Sequence, residues 1–345
     1  MKDRRFGIGI VGCGMISYFH AHAISDLDEA RLVGVYSDRK EAAERFTSEF
    51  DAKIFDTYEE MLASPEIDIV SICTPSGLHS ALAVRAAAAG KHLIVEKPLA
   101  ITREQLADIA DACKKYSVKL AVISQHRFSP AIQFVKKAID DGVFGKILIA
   151  DISMKYYRTP EYYRSSNWRG TRAMDGGGAL MNQGIHGIDL INYLAGPVTR
   201  VFGRVKTEVH NIEVEDTAIA YVEYASGAMG TVHGTTSVSP GYPRVIDING
   251  TLGSATIIED KIKRWDVKGC TVPEELTYSS DKGVKGGFSS PENISYKNHR
   301  RQIADMIRAI REGGEPSIGF EDGKRSVETI LAIYESSESG KPIDL

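Results

Sequence analysis

The sequence has no long apolar run, no excess of one charge and no paired cysteines. No stretch approaches the ~20 consecutive apolar residues of a membrane-spanning helix, so no membrane partner is expected. Forty-two Lys and Arg stand against 46 Asp and Glu, a net charge of −4. That balance leaves no electrostatic footprint for nucleic acid or an anionic lipid surface. The four cysteines, Cys13, Cys73, Cys113 and Cys270, are scattered with no CxxC pair. Neither a zinc site nor a disulfide framework is expected, so no metal is assigned and a reducing cytoplasm fits. There is no internal repeat and no low-complexity segment. The stretch MKDRRFGIGIVGCG opens with basic residues before an apolar run, as a secretory leader does. The run is short, broken by glycines and lacks a small-residue cleavage site, and a buried first strand explains it better.

What is present is a globular composition, 43% hydrophobic and 26% charged over 345 residues, enough for two domains with sizeable cores. Over residues 1–125, short apolar runs (6–12, 31–37, 52–55, 67–73, 91–97, 118–124) alternate with helical spacing (15–25, 40–50, 57–64, 79–90, 102–116). Apolar runs without strict alternation suit strands covered on both faces. The alternation predicts an α/β fold, an N-terminal Rossmann-type doubly wound parallel sheet. From residue 126 the pattern changes. A helix over 129–145, a strand over 146–158 and alternating segments from 199 to 265 predict an α+β domain, 126–345, with a large, mostly antiparallel open sheet. Terminal helices over 299–313 and 323–340 follow and are free to pack back on the first domain.

GIVGCGMIS places Gly12 and Gly14 directly after the first strand. Gly12 permits the tight turn, Gly14 lets backbone approach a pyrophosphate, and small Ser17 takes the position where helix and strand pack. The helix start at Met15 and Ile16 offers free N–H groups to phosphate. A dinucleotide is the expected cofactor. At the end of the second strand, Asp38 suits the ribose hydroxyls of NAD, whereas Ser37 at the ribose with Arg39 and Lys40 around a phosphate suits NADP. NAD is preferred. Thr74, Pro75 and Ser76 fall at the carboxyl edge of the sheet, where such folds bind ligands. His79 follows as a helix start.

VEKPLA ends the next strand at the same edge with Glu96 and Lys97. Burying an ammonium is costly. A desolvated lysine has a lowered pKa and works as an acid or base near neutral pH; the plainer reading is a strand-end lysine reaching solvent. Pro98 fixes the backbone and is open to the cis form. Further on, DGGGALMNQGIHGID puts Asn182 and His186 at i, i+4 on one expected helix face, with Asp189 one turn beyond to orient His186 or pair elsewhere. The aromatic- and arginine-rich loop 156–171 suits sugars and anionic groups, with Trp168 and Arg169 as contacts and Tyr163 behind them. His299 opens a late helix, either at the pocket or as an ordinary helix start.

These motifs carry a resemblance. The chain resembles the Gfo/Idh/MocA family of NAD(P)-dependent sugar and cyclitol oxidoreductases through GIVGCGMIS, SICTPSGLH, EKPLA, QHRF and GGGALMNQGIHGIDL. The resemblance implies hydride transfer between nicotinamide C4 and a carbon bearing a hydroxyl. It matches Lys97 to the lysine that bonds the reacting hydroxyl and His186 to the acid/base histidine, and it places Gln125 and Arg127 near nicotinamide or substrate. Where many members carry Asp, this chain has Asn182. An amide is no base, so Asn182 is expected to orient substrate or His186, and the division of proton transfer between Lys97 and His186 stays open. The resemblance also implies a homodimer or homotetramer through the C-terminal sheet. A sugar, sugar acid or cyclitol is the expected substrate. A nucleotide-sugar (UDP-N-acetylhexosaminuronate-type) 3-dehydrogenase is the alternative, and a non-catalytic nicotinamide-binding sensor the alternative of another class.

Overall fold

The computed structural model describes residues 4–279 and 295–345; the first three residues of the stretch weighed as a leader lie outside them. The chain divides into two compact units, residues 1–125 with 295–324, and residues 126–294 with 325–345.

The first unit alternates β1 (Phe6–Val11), α1 (Met15–Ser25), β2 (Ala30–Tyr36), α2 (Lys40–Thr47), β3 (Lys53–Ile54), α3 (Tyr58–Ala63), β4 (Ile69–Ile72), α4 (His79–Ala88), β5 (His92–Val95), α5 (Arg103–Tyr116) and β6 (Leu120–Val122). The strands form one parallel sheet in the order β3-β2-β1-β4-β5-β6. The order reverses between β1 and β4, and ligands bind at that switch point beyond the carboxyl ends of the strands. Strand residues such as Ile8, Ile10, Ile69 and Ile94 are buried, each contributing about 1.5–3 kcal/mol over an exposed side chain. Local signals agree with the packing: Thr102 caps α5 by accepting the Gln105 N–H at 3.2 Å, so one otherwise orphaned donor is satisfied.

The second unit contains α6 (Pro130–Asp140), β7 (Ile147–Lys155), α7 (Pro160–Arg164), α8 (Ile185–Ala195), β8 (Val198–Lys206), β9 (Thr217–Tyr224), β10 (Met229–Thr235), β11 (Val245–Gly250), β12 (Gly253–Ile258) and β13 (Lys261–Val267). Then α9 (Lys297–Glu312) belongs to the first unit, where Ile303, Met306 and Ile307 join the core of β1 and α1. The chain ends with α10 (Phe320–Ser339) and β14 (Ile343–Asp344). The eight-stranded sheet runs β13-β12-β11-β7-β10-β9-β8-β14, antiparallel except where β7 meets β10. Burial alternates along β9, as a sheet with one covered face requires. The outer face carries Phe202, Ile219, Tyr221 and Met229 exposed. Among the described residues no helix is long and apolar enough to cross a membrane.

Several bounds differ from the sequence expectation. The helix expected over 129–145 stops at Asp140, and β5 stops at Val95, leaving Lys97 two residues past the strand. The single α-helix expected to carry Asn182 and His186 is a π-turn, Ala179–Gly184, followed by α8. Asn182 lies in the wider turn, and the α-helical i, i+4 relation does not apply to it.

Candidate functional site

In the first unit, Gly12 has φ +91°, and a Cβ there would lie 2.8 Å from the Cys73 carbonyl oxygen. Only glycine fits. Nothing lies within 4 Å of where a Gly14 Cβ would be, so the backbone at the start of α1 stands open. Ser17 is buried and donates its hydroxyl to the Gly14 carbonyl at 2.6 Å, which closes the loop onto the helix. Met15, the first helical residue, is exposed. Burial pushes the Cys13 thiol up to about 12, which leaves it a packing group rather than a nucleophile. Ser37 is half-buried and accepts the Arg39 N–H at 3.2 Å, while Asp38, Arg39 and Lys40 are exposed. Either a ribose diol or a 2′-phosphate can be met there.

At the carboxyl edge, Thr74 Oγ1 follows β4 and Gln125 Oε1 follows β6. Both are buried with no protein hydrogen-bond partner among the described residues. Buried polar atoms left unmade cost ~1–3 kcal/mol each, so these positions suit a polar ligand. Together with the open Gly14 backbone and the left-handed Gly12, they fit a dinucleotide. His79 is buried, with Nδ1 2.7 Å from the Pro98 carbonyl and Nε2 3.0 Å from the Thr74 carbonyl; its ring meets the two loops. The Lys97–Pro98 peptide is cis. Glu96 is buried, its side chain accepting from the Lys97 N–H at 3.2 Å and standing 2.9 Å from His20 Nε2. Burial opposes its ionisation, but His20, His299 and Lys97 hold its pKa below the usual carboxylate range. His299 is buried on α9, within this unit.

In the second unit, each glycine of the run 176–178 has a separate reason. Gly176 has φ +77°. A Cβ at Gly177 would stand 2.2 Å from the Tyr334 hydroxyl, and one at Gly178 2.0 Å from the Glu215 carbonyl oxygen. The buried Glu215 carboxylate then accepts the Gly178 and Leu180 N–H groups at 3.0 and 2.7 Å and the Tyr334 hydroxyl at 2.9 Å. It anchors the start of the π-turn and lies where free N–H groups favour a negative charge; burial nonetheless raises its pKa. Asn182 donates to Asp175 and accepts from Gln183 at 2.7 Å. His186 is half-buried, its ring 5.1 Å from His126 and edge-on to it. His126 Nδ1 stands 3.1 Å from both oxygens of Asp260.

Of the two readings of Asp189, orienting His186 or pairing elsewhere, the structure shows the second: it forms a buried two-pronged ion pair with Arg127, at 2.8 and 2.6 Å. Arg127, expected near nicotinamide or substrate, is held in this buried pair and also lies over the Tyr193 ring. Tyr163 is buried against His210, with its hydroxyl on Thr236 at 2.8 Å. Its neighbour Tyr162 faces the polar cluster instead. Arg169 lies over the Tyr162 and Trp168 rings and donates to the Tyr162 hydroxyl at 2.5 Å. Gln183 bridges that hydroxyl, at 2.7 Å, to Arg158, at 2.8 Å. Sequence reasoning missed Arg158, Tyr162, Gln183, Asp175 and His126. The signals available were the density of aromatics and arginines before the glycine run, and the motifs QHRF and DGGGALMNQGIHGID that hold His126, Asp175 and Gln183.

Family models match both parts of the chain: "Oxidoreductase family, NAD-binding Rossmann fold" over residues 6–124 and "Oxidoreductase family, C-terminal alpha/beta domain" over residues 136–345. The chain is 25% identical to myo-inositol 2-dehydrogenase of Thermotoga maritima, covering 98% of each. It is 29% identical to scyllo-inositol 2-dehydrogenase (NADP(+)) IolW of Bacillus subtilis, covering 100% of this chain and 98% of the other. Among solved structures, the WlbA dehydrogenase from Bordetella pertussis in complex with NADH and UDP-GlcNAcA superposes with a TM-score of 0.89 at 32% identity, covering 99% and 98% of the two chains.

Proposed function

The chain belongs to the Gfo/Idh/MocA oxidoreductase family, and we propose that it is an NAD-preferring dehydrogenase that oxidises a CH–OH group of a sugar-class substrate. The observation that carries the reading is the carboxyl edge of the parallel sheet. There an open glycine loop and the buried Thr74 Oγ1 stand at the switch point, and Lys97 and the buried Gln125 Oε1 follow the next two strands along the same edge. Gly12, Gly14, Met15 and Ile16 would hold the pyrophosphate. Ser37, Asp38 and Arg39 would meet the adenine ribose, with Thr74, Pro75, Ser76, His79, Glu96, Lys97 and Gln125 shaping the nicotinamide end. When bound, the nicotinamide supplies a hydride acceptor at C4. Lys97 bonds the reacting hydroxyl, and His186 takes its proton as the carbon gives up hydride. Asn182, fixed by Asp175, orients the sugar. Asp38 supports NAD over NADP; relatives include users of either cofactor. The apolar outer face of the eight-stranded sheet supports a homodimer or homotetramer.

A narrower reading is favoured by one further observation. Arg158 and Arg169 flank Tyr162, and the Arg169 Nε is buried with no hydrogen-bond partner among the described residues. Paired guanidinium forks suit a carboxylate or phosphate, which supports a nucleotide-linked acidic sugar, the kind of ligand in the WlbA complex.

The test is reduced-nicotinamide formation from NAD or NADP with UDP-N-acetylglucosaminuronate, myo-inositol and levoglucosan. Turnover of the first, lost in Arg169→Ala, supports the narrower reading. Turnover of a neutral cyclitol alone overturns it and keeps the broader one. Cofactor binding with no turnover of any member points to the sensor.

A further inference from the structure

The Lys97–Pro98 turn rests on buried polar side chains that hydride transfer does not use directly. The sheet ladder ends one residue earlier, where the Glu96 N–H bonds the Ile72 carbonyl at 3.0 Å. From there the Lys97 N–H and the Pro98 carbonyl are met by side chains. The Glu96 carboxylate accepts the Lys97 N–H at 3.2 Å. Its other oxygen is 2.9 Å from His20 Nε2, and His20 Nδ1 is 2.8 Å from the Ser71 hydroxyl. His299 Nε2 stands 4.0 Å from the same oxygen. His20, Glu96 and His299 are all buried. Their donor atoms lie within 4.8 Å of one another, and the direct His20–Glu96 contact and the Ser71 hydroxyl behind it form a hydrogen-bonded ladder.

On the other side, His79 stands 2.7 Å from the Pro98 carbonyl and 3.0 Å from that of Thr74. A neutral imidazole has one N–H, so only the imidazolium donates to both. Burial, the largest influence, lowers the His79 pKa, against the two carbonyls and the Glu96 charge, which favour that form. Charged, the ring ties the loop after β4 to the lysine turn; neutral, it donates to one of the two carbonyls.

We propose that Glu96, held by His20, and His79 are positioning residues for Lys97: they fix the two backbone groups flanking its turn and tie that turn to Thr74. The inference rests on the reading that Lys97 bonds the reacting hydroxyl. A catalytic group misplaced by about 1 Å loses on the order of a hundredfold in rate, so residues that never touch substrate can still set the rate.

Competitive acetylation of the full-length protein with acetic anhydride, followed by mass spectrometry across pH, reads Lys97 without any substrate. In Glu96→Gln the amide oxygen can still accept the Lys97 N–H, but the carboxylate charge is gone. The ammonium then gives up its proton more readily, and acetylation at neutral pH rises about tenfold. In His79→Ala the turn loosens and acetylation rises at every pH. His79→Gln, whose amide can reach one carbonyl, restores part of the protection. The thermal midpoint reports whether each variant folds. Lys97 labelling identical to wild type in Glu96→Gln and His79→Ala overturns the proposal. So does an unchanged kcat in both variants, on a substrate for which Lys97→Ala is inactive. Full turnover by Lys97→Ala instead removes the reading of Lys97 itself, which separates the two failures.

Discussion

Asp189→Ala tests whether Arg127 is a core partner or a substrate contact. Arg127 and Asp189 are only 5% and 2% exposed, joined by two hydrogen bonds of 2.8 and 2.6 Å. Removing one member of a buried pair leaves the guanidinium desolvated and without its carboxylate, at a cost of about 3–5 kcal/mol. With a urea slope of about 2–3 kcal/mol/M, the midpoint falls by roughly 1–2.5 M. Both tryptophans, Trp168 and Trp265, lie in the second unit, so intrinsic fluorescence follows the unit that holds the pair. The double variant Arg127→Met/Asp189→Leu replaces both charges with apolar volume. Tyr193, under the guanidinium in wild type, can pack on the methionine. That variant should recover to within about 1 kcal/mol of wild type. A loss below about 1 kcal/mol in Asp189→Ala, or a double variant no better than the single, refutes the structural assignment.

Gly12→Ala forces a side chain onto a left-handed residue and against the Cys73 carbonyl; NADH binding, followed by fluorescence titration, should be lost. Asn182→Asp sets a second carboxylate against Asp175. One of the pair then ionises only at raised pH, so stability is kept in acid and lost as pH rises through that value; equal destabilisation at both ends contradicts the contact. Asp216 accepts the backbone N–H groups of Glu208, Val209 and His210. Burial raises its pKa, but these bonds outweigh burial and hold it below its ordinary 3.8. Its contribution is therefore present above 3.8 and is lost as pH falls through the lower folded value. Asp216→Asn should lower stability at neutral pH and flatten the acid limb of the unfolding curve.

Much of the first unit was legible because its signals are local and redundant. Gly12 and Gly14 follow a short apolar run, the next strands repeat the pattern, and the parallel order follows from the alternation. The glycines at 176–178 were visible as a run. Their separate reasons, a left-handed φ, the Tyr334 hydroxyl and the Glu215 carbonyl, depend on partners far along the chain. The π-turn was invisible for the same reason: Glu215 pins its first N–H groups from 35 or more residues away. Asp189 and Arg127 were read for chemistry by their types and proximity to motifs. Their mutual bond, across 62 residues, is a tertiary fact that no helical spacing encodes. Tyr162 and Tyr163 show the smallest such gap. Adjacent identical residues face a polar cluster and the core, and only the short helix α7, capped by Thr159, decides which.

The most direct test of the account is single-turnover hydride transfer with NAD and a sugar deuterated at the oxidised carbon, in wild type, Lys97→Ala and His186→Ala. The account predicts deuterium at nicotinamide C4 in wild type and a rate reduced by about 10²-fold or more in each variant. Transfer at the wild-type rate in both variants, with cofactor still bound, would contradict it.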